Sequence, residues 1–192
     1  MIRDDKRERI LTVAEEFFAH FGFNKTTLDE IAKKVRIGKS TLYYYFNSKM
    51  HIFAEIIKRE SLALRNELLM AISKAKTPQE KLIAYTLTRI KFFKKLINYY
   101  AALTADYLEH YSFVEETREN FTKFEIDTIS EILSDGQKQG VFQIEDINST
   151  SEVIVIALKG LEVPLIMQEE PKNIKTTTIK MLTILFKGIE SR

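Results

Sequence analysis

Seven residues in one short stretch carry groups suited to binding phosphate and base edges. They are Lys39, Ser40, Thr41, Tyr43, Tyr44, Tyr45 and Lys49, within TLDEIAKKVRIGKSTLYYYFNSKM at residues 27–50. Ammonium and hydroxyl donors pair with phosphate oxygens and with acceptors on base edges. Within the second half of the stretch, Leu42 and Phe46 are the apolar anchors, and the remaining side chains have little reason to be buried together. A short helix with one thin apolar edge and a hydroxyl-rich face fits the major groove of DNA. A helical hairpin whose tyrosines pack at a surface would share the spacing. It does not account for the order of features: cap, small residue, turn, hydroxyl-rich helix, aromatic run, then a basic residue.

Catalytic chemistry has few footholds. The chain has three histidines, His20, His51 and His110, and no cysteine. It lacks a Gly-rich phosphate loop, an HExxH helix and a nucleophile elbow. Asp106 and His110 are four residues apart and can share a helix face, as metal ligands do, but a solvated ion pair is the simpler account. No catalytic residue, metal or cofactor is therefore expected. The alternatives to DNA binding are a metal-dependent enzyme and a purely structural helical scaffold. The scaffold would explain long helices but not the face from Lys39 to Tyr45.

Several elements must hold that face in place. Leu28, Ile31, Ala32 and Val35 recur at the spacing of one apolar helix face. Thr27 with Glu30 three residues on forms a capping-box pattern, and Ala32 is small where two helices must approach closely. A first helix is predicted from about Asp5 to Phe21, burying Ile10, Val13, Ala14, Phe17, Phe18 and Phe21 and ending at Gly22. Ser48 is predicted to cap a long fourth helix reaching about Ala75. Thr77-Pro78-Gln79-Glu80 is another start signal, opening fifth and sixth helices over about 78–110 with a bend near Ile97 to Tyr100. A seventh runs from about Phe113 to Gln139. Residues 140–148 read as a loop with brief extended structure around Val141 to Ile144. Ser149 or Thr150 then opens an eighth helix, and Pro171 a ninth.

The stretch from Phe21 to Phe53 resembles the N-terminal DNA-binding region of the TetR family of bacterial transcriptional regulators. The matching residues are Thr27, Ile31, Ala32, Leu42, Tyr43, Phe46 and Lys49. Two positions depart from the pattern. Arg36 stands where the family's turn usually has Gly, so either it holds a left-handed backbone at some cost or the turn is slightly remodelled. Gly38 stands where a Ser usually opens the reader helix, and it caps passably. Gly136 and Gly140, in DGQKQGVFQIED, resemble the family's end of helix 7. The resemblance implies an all-α fold, with a three-helix helix-turn-helix head over residues 1–47 and a helical effector-binding and dimerisation body over 48–192. It implies that Thr27, Tyr43, Tyr45 and Lys49 contact phosphates. Lys39, Ser40, Thr41 and Tyr44 are expected to face base edges. The function implied is that of a ligand-responsive regulator, a repressor released from a palindromic operator by an apolar or amphipathic small molecule.

The body carries two further signals. From Val153 to Met167, apolar residues fall on nearly every side of the predicted eighth helix, so that helix must be covered on all sides. A homodimer through helices 8 and 9 would supply the cover, with Leu158 and Leu182 expected in the seam; burial within one protomer is the alternative. The middle of the chain is aromatic, and Phe92, Phe93, Tyr100, Tyr107, Phe121 and Phe124 are the expected walls of an effector pocket. For any single ring, plain core packing is the simpler reading.

Composition fits this picture. At 192 residues, with only 6 Gly and 3 Pro, the chain can build long helices around a sizeable core. Net charge is only +2, yet residues 1–50 hold 10 Lys/Arg against 7 Asp/Glu, so the basic excess sits where the motif sits. Such weak basicity suits specific contacts by a dimer more than bulk electrostatics. The charged opening MIRDDKRERI is no secretory signal, no apolar run is long enough to span a membrane, and the lack of Cys is compatible with the cytoplasm.

Overall fold

The computed structural model describes residues 2–93, 112–167 and 171–189, and among them are eight helices joined by turns. They are α1 (Ile2–Phe21), α2 (Leu28–Val35), α3 (Lys39–Tyr45), α4 (Lys49–Ser73), α5 (Pro78–Phe93), α6 (Ser112–Lys138), α7 (Ile147–Met167) and α8 (Pro171–Ile189). The last two are the predicted eighth and ninth helices. The expected bend near Ile97 to Tyr100 lies outside the described residues, as do Asp106 and His110. The described residues cluster into two compact units. One comprises residues 2–62 with 112–117, and the other residues 63–93 with 118–167 and 171–189.

In the first unit, Ile10, Leu11, Ala14 and Phe18 of α1 are buried, together with Ile31, Ala32 and Val35 of α2. Leu42 and Phe46 are fully buried, as expected of the anchors of α3, and α4 contributes Ile52, Phe53, Ile56 and Ile57. The Phe18 ring meets Phe53 edge-on at 5.2 Å, an arrangement the aromatic quadrupole favours. Phe21, expected on the buried side of α1, is instead 51 % exposed. It sits in the last turn, where its ring packs on Phe17 and His20 of its own helix. Gly22 then ends α1 at φ 81°, a backbone only glycine adopts cheaply. Two arginines bind α1 to α4: Arg7 donates to Glu55 at 2.6 Å, and Arg59 pairs with Glu8 and Glu15.

The second unit takes up Ala63–Ser73 of α4 together with α5, most of α6, α7 and α8. α5 packs against both α7 and α8. Its start is the predicted one: Glu80 N–H donates to the Thr77 hydroxyl at 3.1 Å, and the Glu80 carboxylate accepts from the amides of Lys76 and Thr77. Those amides hold the Glu80 carboxyl below its ordinary pKa. The start of α7 differs from expectation. Its cap is Asp146, whose carboxylate accepts the amide and hydroxyl of Ser149 at 3.0 and 2.6 Å. An anionic side chain suits the positive end of a helix better than the neutral hydroxyl of Ser149 or Thr150.

Gly136 explains why the end of α6 needs glycine: a Cβ there would run into the Phe142 ring. That ring is buried and lies against Phe186 of α8 at 6.4 Å. The short non-helical stretch 141–144 is tied to the end of α8, where Gln143 N–H donates to the Ile189 carbonyl at 2.7 Å.

Candidate nucleic-acid interface

The reader face is assembled by α2, the turn after it, and α3. Thr27 caps α2 in the full capping box. Glu30 N–H donates to the Thr27 hydroxyl at 3.3 Å, and the Glu30 carboxylate accepts from the Thr27 amide at 2.9 Å. The Thr27 hydroxyl also donates to that carboxylate at 2.6 Å, and these bonds hold the Glu30 carboxyl below its ordinary pKa. Arg36 ends α2 in the left-handed region, at φ 62° and ψ 48°, the first of the two expected outcomes. The cost of about 1–2 kcal/mol is carried by the surrounding packing. Gly38 opens α3 with extended backbone and no side-chain cap.

On α3, Leu42 alone is buried. Lys39, Ser40, Tyr43 and Tyr44 are exposed, while Thr41 and Tyr45 are half-buried. Tyr44 and Tyr45 pack edge-on at 5.3 Å. Six of the eight expected DNA-contacting residues therefore lie on one short helix, and Thr27 stands at the start of its neighbour. The Lys39 ammonium pairs with Asp29 of α2 at 2.8 Å, which raises its pKa. Sequence reading missed Asp29 because a carboxylate in a first helical turn is ordinary.

Lys49 stands apart. Its ammonium donates to the carbonyls of Phe23 at 2.8 Å and Thr26 at 3.0 Å, with Asn24 O at 3.5 Å, and it lies 4.4 Å from the centre of the Phe23 ring. Burial pulls its pKa down.

Of the expected effector-pocket residues, Phe121 is buried and Phe124 half-buried, their rings 5.9 Å apart, with the Arg65 guanidinium 4.9 Å from the Phe124 ring centre. The space beside Phe124 is an open groove of about 400 Å³ rimmed by Arg65, Lys123, Asp127 and Glu131. Phe92 is half-buried on α5. Tyr100, Tyr107 and the side chain of Phe93 lie outside the described residues.

A buried polar cluster nearby was not anticipated. Glu125 of α6 is fully buried and accepts from the Tyr85 hydroxyl at 2.7 Å and from two nitrogens of Arg89, Nη2 at 3.2 Å and Nε. Lys159 of α7 lies 4.0 Å from the same carboxylate and donates to the Thr122 hydroxyl at 2.5 Å. Burial and the Glu125 charge push the Tyr85 pKa well up, and burial lowers that of Lys159. A signal was present in the sequence: Glu125 recurs with Phe121, Ile129 and Ile132 on an apolar stripe, and Arg89 with Leu82, Tyr85 and Ile90. A charge at a core position implies a buried partner.

Comparison with known proteins decides the family. Residues 10–56 match the family model for bacterial regulatory proteins of the tetR family. Residues 70–191 match the model for the C-terminal region of QacR-like proteins. This chain belongs to the TetR family. The HTH-type transcriptional regulator QacR of Staphylococcus aureus (strain Mu50 / ATCC 700699) is 31% identical over 160 residues, spanning 81% of this chain and 83% of QacR. A crystal structure of a transcriptional regulator from Cytophaga hutchinsonii ATCC 33406 superposes with TM-score 0.79 at 26% identity, covering 96% of this chain and 98% of that one. A regulator from Saccharomonospora viridis, solved with choline, shares the fold at TM-score 0.83 and 17% identity, covering 98% and 100% of the two chains. The TetR family comprises DNA-binding transcriptional regulators, not enzymes. Among the described residues no group of three or more His, Cys, Asp and Glu could hold a metal ion, and no helix is long and apolar enough to cross a membrane.

Proposed function

We propose that this TetR-family chain is a ligand-responsive repressor, released from a palindromic operator by an apolar or amphipathic small molecule, with residues 1–47 as DNA-binding head and 48–192 as effector-binding and dimerisation body. The observation that carries the DNA half is the face of α3, where Leu42 is fully buried while Lys39, Ser40, Tyr43 and Tyr44 stay exposed. In this reading Lys39, Ser40, Thr41 and Tyr44 meet base edges, and Thr27, Tyr43 and Tyr45 meet phosphates. Lys39 exchanges Asp29 for its DNA partner. Occupying an operator blocks transcription without any further surface, which favours repression as the simplest output. The aromatic residues around Phe121 and Phe124 support a small-molecule signal, and a cytoplasmic site suits a DNA-binding regulator.

A two-fold dimer through α7 and α8 supplies the second reader helix. Leu158 and Leu182, expected in the seam, are buried at 4 % and 1 % exposure within the protomer. Among the described residues of α7 the stripe left uncovered is Val153, Ile156, Ala157 and Gly160, at helical spacing, with Val153 64 % and Ile156 67 % exposed. Nothing lies within 4 Å of a Cβ placed on Gly160, so a neighbouring helix can approach closely there. α8 adds Ile184, 73 % exposed.

Sequencing genomic fragments captured by the purified protein, followed by operator affinity across fatty acyl, aromatic and lipophilic cationic compounds, tests this reading. An effector should weaken operator binding by about 5- to 150-fold, the usual allosteric range. Capture of no specific fragment would sink the DNA half, and a panel without effect the sensor half. Ile156→Lys should give a folded monomer by light scattering; a wild-type dimer would move the interface elsewhere.

A further inference from the structure

We propose that Lys49 is a positioning residue that fixes the start of α2 against α4, rather than a phosphate contact; this deepens the DNA-reading role assigned to α3. A lysine ammonium has three donors and no acceptor. Here the carbonyls of Phe23, Asn24 and Thr26 surround it, and the Phe23 ring face closes the remaining side. To reach a phosphate, Lys49 would have to give up two charge-assisted bonds of 3.0 Å or less and strip them from the turn.

That turn sets the direction of the helix beyond it. Thr26 is buried, its amide donates to Gly22 O at 3.3 Å, and its hydroxyl donates to Gly22 O at 2.9 Å and lies 3.2 Å from Phe17 O. One side of the turn is thus stapled to the end of α1. Lys49, the first residue of α4, staples the other side. Thr27 comes next and caps α2, so the direction of α2 is referenced to α1 and α4 together. α3 follows α2 after only the short turn around Arg36. The pose of the reader helix is therefore set partly by where α4 begins. The Phe23 ring, packed on Phe18 and Phe53, keeps the cage rigid.

The test compares Lys49→Met and Lys49→Arg in the full chain, using a mixed-sequence duplex and an operator recovered by fragment capture. Lys49→Met should weaken operator binding by about ten- to hundredfold, the worth of one or two charged hydrogen bonds. The dependence of log affinity on log salt should keep its wild-type slope on both duplexes, and Lys49→Arg, which can donate to the same carbonyls, should recover most of the loss. In the protein alone, amide exchange at Thr26 and Ile31 should accelerate in Lys49→Met. A fall of about one unit in the salt slope would make Lys49 a phosphate contact and overturn the proposal. Unchanged exchange at those amides would overturn it too, as would a lowered melting temperature with operator affinity intact. If the wild type bound no duplex, the DNA reading would fall, while the exchange measurement would still decide the clamp.

Discussion

Glu125→Gln isolates what the buried cluster contributes to the body. The exchange keeps side-chain volume, and the amide oxygen can still accept from the Tyr85 hydroxyl. It removes the charge opposite Arg89 and turns an NH₂ toward a guanidinium nitrogen that now sits 3.2 Å from a carboxylate oxygen. Arg89 and Glu125 are 2% and 0% exposed, so a guanidinium charge left without this carboxylate has little access to water. Breaking such a pair from one side costs about 3–5 kcal/mol. Lys159 also faces the carboxylate, 4.0 Å away, with its side chain 40% exposed. With the carboxylate charge gone, however, Lys159 no longer has to stay near it and can turn to solvent, which places the expected loss near the lower bound, about 3 kcal/mol. For a chain of this size that lowers the melting temperature by roughly 6–12 °C. Far-UV circular dichroism at one fixed protein concentration reads it, because the proposed dimer would link stability to concentration. The triple variant Tyr85→Phe, Arg89→Met, Glu125→Leu should recover most of the loss, since an apolar replacement leaves no orphaned donor. A Glu125→Gln loss below about 1 kcal/mol would refute the view that this pair is desolvated and mutually dependent.

Two further predictions concern the caps and the turn. Arg36→Gly should raise stability by about 0.5–1 kcal/mol, the left-handed penalty of Arg less the extra chain entropy of Gly, and thermal melting reads it directly. Glu30 and Glu80 have carboxyl pKa values lowered in the fold by hydrogen bonds to Thr27 and to the Lys76 and Thr77 amides respectively. A depressed folded pKa means their contribution is present above the ordinary glutamate value and lost as pH falls below it. Protection of the Thr27 and Thr77 amides from exchange should drop on acidification through that range. Glu30→Gln and Glu80→Gln should flatten the response, and equal acid sensitivity in those variants would place its origin elsewhere.

The head was legible in the sequence because its determinants are local. Thr27 with Glu30 specifies a cap through residues three apart, Gly22 stops a helix by its own backbone, and Ile31, Ala32 and Val35 define a face within two turns. For the awkward Arg36 the sequence left two outcomes open, and the fold takes the left-handed one rather than remodelling the turn. Lys49 has an environment that was not legible, for the opposite reason. Its type and position suit a phosphate, but its donors are taken by carbonyls at residues 23–26, over twenty positions earlier in the chain. The α7 cap was misplaced because Asp146, Ser149 and Thr150 are all good capping residues and spacing alone does not rank them.

The C-terminal pair of helices shows where periodicity runs out. Apolar residues on nearly every side of α7 from Val153 to Met167 announce that this part is covered all round, yet the pattern does not say which residues the protomer covers itself. Packing against α5 and the rest of the unit settles that by burying Ile154, Val155 and Leu158, at i, i+1 and i+4. Val153, Ile156 and Ala157 then have to point the other way, because a helix advances about 100° per residue. The same side includes Gly160, whose missing side chain leaves room rather than filling it. In the dimer proposed above, the apolar residues and the gap along this stripe would meet a symmetry mate in place of water. Leu158→Glu would therefore report on folding of the protomer, through an unpaired carboxylate in its core. Ile156→Lys reports on association, and the difference between the two variants separates the core from the seam.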